Sequence, residues 1–227
     1  MQVTGLPGLK SERSTSPRHV ITNPVYLPGA AKIINGSLAR DPGNTGDLDV
    51  LRAGMLMGKI TASGKYAPSI LGVTTNAEPA GSTSIQVSAA VATELSRRVG
   101  ATGTFKLTGP PTANGTVVTE TVTYSAISGT NITCTAITNA FVAGSFIQPT
   151  DGSETPRTII ETPADGIQVT DEDRVNSIDV PFPRFAVGGV VDSSQILHWP
   201  SDTSLQDWIV ARLNELSRGK FIFDHGF

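Results

Sequence analysis

Cysteine is all but missing. Cys134 is the one thiol in 227 residues, so the chain can form neither an internal disulfide nor a cysteine-based metal cluster. Histidine is scarce too: His19, His198 and His225 lie far apart, and none has the spacing to a nucleophile or carboxylate pair that a catalytic triad or metal site needs. Charge is thin at 16%, against roughly 25% in an ordinary globular domain. The balance of −3 gives no global reason to bind nucleic acid. No apolar run approaches the length of a membrane span, and the first residues lack the apolar core of a signal peptide. The expectation is a soluble protein made in a cytoplasm, with no catalytic residue, cofactor or metal and no nucleic-acid or membrane partner. Thr, Gly, Ser and Ala fill the place of charge. That suits a β-rich chain that buries surface against partners or works outside a cell. A chain of this length buries roughly 70% of its unfolded surface, enough to fold without staples.

The stretch Val50–Ser69 holds two glycine-lysine pairs, Gly58-Lys59 and Gly64-Lys65, which invites comparison with a phosphate-binding loop. That loop needs four residues between its glycines and a hydroxyl after the lysine. Here five residues separate Gly58 from Gly64, Tyr66 replaces the hydroxyl, and Pro68 falls just inside any following helix. The nucleotide reading fails. Met55, Met57 and Lys59 alternate with Leu56, Gly58 and Ile60, the period-two signal of a strand. Ala62-Ser63-Gly64 then makes a turn, and Lys65-Tyr66-Ala67 starts the return strand.

Residues 1–49 read as an extended arm. Pro7, Pro17, Pro24, Pro28 and Pro42, with six glycines among them, leave no room for a helix of normal length. Through Arg40 the arm carries Lys10, Arg13, Arg18, Lys32 and Arg40 against Glu12 alone. Its apolar residues come in short pieces, Val20-Ile21, Val25-Tyr26-Leu27 and Ile33-Ile34. Such a segment cannot offset its own ordering entropy. It is either floppy or ordered on another surface; Val25, Tyr26, Leu27, Ile33 and Ile34 favour the second, by strand addition to a neighbour.

Further along, Ser88 looks like an N-cap for a helix over 89–99. Val91, Leu95 and Val99 form its apolar face, Gly100 its stop, and Arg97 and Arg98 complement its dipole. Residues 101–160 alternate Phe105 and Leu107, then Val118, Val122 and Tyr124, against threonines, with turns at Gly109-Pro110-Pro111, Asn114-Gly115 and Ser128-Gly129. They read as a small all-β module of Ig-like or sandwich-like type. Cys134 reads as a small buried hydrophobe. Residues 161–192 are acidic, but Asp171-Glu172-Asp173 lacks the remaining features of a calcium loop. Pro181 and Pro183 mark an edge strand. A helix over 201–219 carries the stripe Leu205, Trp208, Ile209, Leu213 and Leu216, as core or subunit interface. Ser204 and Asp207 resemble its capping box, and His198 beside Trp199 reads as a packing pair.

The run Leu51-Arg52-Ala53-Gly54-Met55-Leu56-Met57-Gly58-Lys59 through Gly64-Lys65-Tyr66, with Ile70-Leu71-Gly72-Val73 after it, resembles the signature hairpin of lambda-type phage head decoration proteins, the capsid cement proteins. The likeness covers some 25 residues closely and more of the chain loosely. It implies a β-rich mixed α/β fold: a decoration core in two parts, 50–100 and 161–227, interrupted by an inserted all-β domain, 101–160. It also implies a homotrimer on the outer surface of the virion capsid, made in the host cytoplasm. The arm, 1–49, would lie along the major capsid protein, and the protein would stabilise the head against packed DNA without enzymatic activity. The alternatives are a receptor- or glycan-binding module on the virion surface, with 101–160 as the reader, and a structural protein of the tail or baseplate.

Overall fold

The computed structural model describes residues 20–26, 32–44, 50–161, 167–168, 179–182, 185–217 and 221–224, with backbone alone for Lys32, Ile167, Gln168, Phe182, Phe185, Leu216 and Ser217. The chain opens with β1 (Ile21–Tyr26) and β2 (Lys32–Ile34), then a short β3 (Val50–Leu51). β4 (Leu56–Lys59) and β5 (Tyr66–Pro68) form the antiparallel hairpin that the alternation predicts, with Met57 opposite Pro68 and Lys59 opposite Tyr66. Its turn closes through Ile60 N–H to Lys65 O (2.8 Å) and Gly64 N–H to Ile60 O (2.9 Å), with Gly64 at φ +71°. A side chain is strained in that left-handed region, and glycine is not.

The chain next builds a separate six-stranded sheet. β6 (Gly72–Val73), β7 (Ser84–Gln86), α1 (Ala89–Arg98), β8 (Gly103–Gly109), β9 (Val118–Ser128), β10 (Asn131–Cys134) and β11 (Phe146–Gln148) follow in order, and the sheet runs β6-β11-β8-β9-β10-β7. Its inner face carries Phe105, Leu107, Val122, Tyr124 and Ile132, which pack with Val91 and Leu95 of α1 in one cluster. Fully burying a side chain of this size stabilises by about 1.5–3 kcal/mol each. Ser88 Oγ accepts from Val91 N at 3.3 Å, which caps α1 at its expected start.

The chain returns through β12 (Thr158–Ile160), β13 (Ile167–Gln168), β14 (Val180–Phe182) and β15 (Phe185–Asp192). A 3-10 turn (Ser193–Gln195), α2 (Thr203–Ser217) and β16 (Phe221–Asp224) end it. These complete an eight-stranded sheet, β1-β15-β12-β4-β5-β2-β14, with β16 added in parallel to β15 and β3 paired separately with β13. β14, with Pro181, lies at the edge, where a missing N–H does no harm. Leu205, Ile209 and Leu213 of α2 are fully buried against Leu56, Ile159 and Val191. The architecture is β-rich mixed α/β, with two curled sheets and two helices among the described residues.

Three expectations are corrected here. The segment read as an arm up to residue 49 supplies two strands of its own chain's sheet: β1 pairs with β15, and β2 with β14 and β5. The division at residue 101 cuts through the six-stranded sheet, which takes strands and α1 from before it, while β12 lies in the other sheet. α2 is capped by Asp202, whose Oδ1 accepts from Ser204 N (3.0 Å) and Leu205 N (3.3 Å), not by a Ser204–Asp207 box. An Asp two positions before Ser204 meets the N–H groups of the first turn directly.

Candidate interaction surface

The signature hairpin sits at the centre of the eight-stranded sheet, and its glycines are dictated by close backbone approach. A Cβ on Gly58 would lie 1.8 Å from the Ser153 carbonyl oxygen, and one on Gly54, at φ +87°, 2.0 Å from that of Gln195. Gly54 also donates to Ile160 O (2.9 Å) and accepts from Leu197 N (3.0 Å), so its backbone ties β12 to the segment before α2. Leu51 is fully buried in a cluster with Ile34, Met57 and Ile160, against which Tyr66 packs. Burial pushes the Tyr66 phenol up, opposed by the Arg157 charge. Lys59 is exposed, and Lys65 pairs with Asp179 at 2.6 Å. Most of this pattern is fold-forming rather than surface-facing.

The arm residues divide sharply. Lys10, Arg13, Arg18 and Leu27 lie outside the described residues, and Lys32 is placed by backbone only. Ile34 is fully buried in the chain's own core, so it is not free to meet another molecule, and Tyr26 is half-buried against the cluster around Ile159. Val25 and Ile33 are 44% and 42% exposed, and with Ile222 at 64% they are the exposed large hydrophobics among the described residues. The stretch after β2 is fastened as well. Arg97 donates to Ser37 O (2.8 Å) and Leu38 O (2.9 Å) and is held by Glu94 at 2.6 Å. The α2 stripe resolves the same way. Leu205, Ile209 and Leu213 are internal core, Trp208 is half-buried 5.9 Å from Phe146, and Leu216 is placed by backbone only.

The Arg97-Arg98 pair does more than complement a dipole. Arg98 is 1% exposed, and its guanidinium donates to Pro68 O (2.9 Å), Asp151 Oδ2 (3.1 Å) and Ser153 Oγ (2.7 Å). Pro68 lies where the chain leaves the eight-stranded sheet, and Asp151 and Ser153 where it comes back. One side chain of α1 therefore pins both crossings. Burial alone would raise the Asp151 carboxyl; the Arg98 charge and the Ser153 hydrogen bonds outweigh it and hold the group below its ordinary range. Sequence reasoning missed this because the partners are 30 to 55 residues apart. It missed Asp41 likewise, a fully buried acid that takes Arg52 Nε at 2.6 Å. His198 stands near that pair, in the left-handed region at φ +61°. Burial lowers its pKa and the Arg52 charge adds to this, against the opposing Asp41. Its neighbour Trp199 stacks on Phe223, with ring centroids 5.6 Å apart.

Burial, followed by the charges of Glu78 and Glu120, pushes the Cys134 thiol up to about 11, so it is protonated and unreactive at neutral pH. A cleft of about 200 Å³ lies between Val73, Gly144, Trp199, Pro200 and Leu205, below the roughly 300–1,000 Å³ of ordinary small-molecule sites, and a shallower depression of about 540 Å³ lies against α1 between Ala92, Ser96, Arg97 and Ile127. Among the described residues no three His, Cys, Asp or Glu side chains are grouped to hold a metal, and no helix is long and apolar enough to cross a membrane. What the arrangement offers is exposed strand surface: β1 and β16 flanking β15, and the outer face of β2. No protein-family profile, curated protein or solved structure matches this chain.

Proposed function

We propose that the chain is a capsid decoration protein, a homotrimer that sits on the outer surface of a phage head, binds the major capsid protein and stabilises the shell against internal DNA pressure. The observation that carries the reading is the hairpin Leu51–Tyr66. Its resemblance to the cement-protein signature is joined to a physical role, because Gly54 and Gly58 stand where backbone from two other segments leaves no room for a Cβ. The inserted β unit of this reading, 101–160, shares its six-stranded sheet with β6 and β7 from the part before it. The capsid-binding role belongs to residues 1–19, with Lys10, Arg13 and Arg18, and to exposed Val25 and Ile33; Tyr26 and Ile34 serve the core instead.

The mechanism is multivalent. Ordering a leader costs about 1–2 kcal/mol of backbone entropy per residue, so a single leader binds weakly. Three leaders on one trimer raise the effective concentration of each, and weak contacts add to tight attachment. The test is removal of residues 1–19, which spares β1 and β2, followed by mixing with heads that lack decoration and imaging by negative stain. The truncated protein should remain folded and trimeric and lose head binding. Unchanged binding sinks the leader's role. A full-length chain that decorates tails or baseplates, or that sediments as a monomer, sinks the head-trimer reading.

A further inference from the structure

The outer face of the six-stranded sheet holds one enclosed polar cluster. Phe105, Leu107 and Ile147 are fully buried on the inner face, so the period-two alternation turns Lys106 and Gln148 outward. These two are direct partners in the β8–β11 register, where facing Cβ atoms lie about 4.5–5.5 Å apart. The chain after β11 folds back over them. Gln148 Nε2 donates to Glu154 O (2.6 Å), and Lys106 Nζ donates to Glu154 Oε1. Gln148 is 1% exposed, while Lys106 and Glu154 keep 30% and 17%. The second carboxylate oxygen, Glu154 Oε2, is buried and has no hydrogen-bond partner. Such an oxygen is costly, and an ion pair made through Oε1 alone does not account for it. An amine, a carboxamide and a carboxylate thus meet from β8, β11 and the segment after β11.

We propose that Lys106 and Gln148 join in an intramolecular isopeptide bond, with Glu154 moving the protons. Glu154 takes a proton from the Lys106 ammonium and frees the Nζ lone pair. Nζ adds to Gln148 Cδ, and the carbonyl pair moves onto Oε1. Glu154 then gives its proton to Nε2 and takes another from Nζ. The pair returns, the Cδ–Nε2 bond breaks and ammonia leaves from beside the Glu154 carbonyl. Nothing is oxidised or reduced. Glu154 ends protonated and loses that proton to solvent. Attack on Glu154 itself is the poorer route, because it uses up the only carboxylate in contact with Lys106 among the described residues. The near-complete burial of Gln148 keeps water from competing with the amine. The bond fastens β8 to β11. In a chain with a single cysteine it supplies the constraint on the unfolded state that a disulfide gives elsewhere. The inference goes beyond the head-decoration reading and does not rest on it.

The experiment is the intact mass of the folded full-length chain, followed by unfolding, trypsin digestion and peptide sequencing by mass spectrometry. The wild type should weigh one ammonia less than its sequence, resist cleavage after Lys106, and yield a branched peptide that joins Lys106 to Gln148. That peptide separates the bond from ammonia lost at Asn35-Gly36 or Asn114-Gly115. Lys106→Arg and Glu154→Gln should both carry the full mass and be cut into linear peptides, with circular dichroism confirming that they fold. A folded wild type at full mass overturns the proposal without recourse to any variant. Loss of one water, with Lys106 joined to Glu154, overturns the assignment of Gln148 as acceptor. A Lys106–Gln148 bond that still forms in Glu154→Gln overturns the role of Glu154.

Discussion

Replacing Asp151 by alanine asks whether one buried arginine holds the two sheets together. In the native chain the Arg98 guanidinium is 1% exposed and Asp151 is 30% exposed. Stripping the partner from a fully buried pair costs about 3–5 kcal/mol, since the surviving charge is stranded. Here Asp151 is partly solvated and Arg98 keeps Pro68 O and Ser153 Oγ, so the expected loss is about 2–3 kcal/mol. Arg98→Met removes the charge and keeps the stem. It leaves the Pro68 carbonyl without its donor, at about 1–3 kcal/mol, but it also relieves the desolvation of the guanidinium. The double variant should therefore be less destabilised than the two single losses added together, with a coupling of about 1–2 kcal/mol. Urea denaturation of the four proteins, with m-values compared, reads this directly. The pH dependence adds a sign. Asp151 is held below its ordinary carboxyl range, so its contribution is complete above about pH 4, the unfolded value, and is lost as pH falls through the folded value. Asp151→Asn should lack that acid component. A single-variant loss under about 0.5 kcal/mol, or strict additivity, would refute the latch.

Other outcomes follow from burial and close approach. Ile34→Asp should cost more than about 3 kcal/mol, because it strands a charge in a fully buried site, whereas Ile33→Asp, at a 42% exposed position, should change thermal stability little; equal effects would return this strand to the arm. Gly58→Ala places its methyl 1.8 Å from a backbone oxygen and should cost at least about 1–3 kcal/mol, visible as a lowered melting temperature; a wild-type melt would show that the backbone can move aside. Cys134, its thiol held at about 11, should resist an aromatic disulfide reagent at pH 8 until denaturant is added, and stoichiometric labelling of the native protein within minutes would contradict its burial.

The amino-acid sequence determined the local elements by itself. Alternation and turn residues set the hairpin 56–68, Ser88 and the Val91-Leu95 face set α1, and the Leu205-Ile209-Leu213 stripe set α2. These signals lie within a few residues of what they specify, so short-range periodicity carries them. Beyond that hairpin, the sequence was silent on which strands pair. Val20 to Ile34 looks like a tether because its apolar pieces are short and broken by proline; only pairing of Ile21 with Val191 on β15 and of Ile34 with Val180 carries Val20, Ile21 and Ile34 into the core, while Val25 and Ile33 stay exposed. The same holds for Arg98 and Asp41, charged residues that read as surface until the tertiary fold brings Asp151 and Arg52 against them. Sheet partners and buried ion pairs depend on contacts between residues distant in the chain, and periodicity along the chain does not encode them.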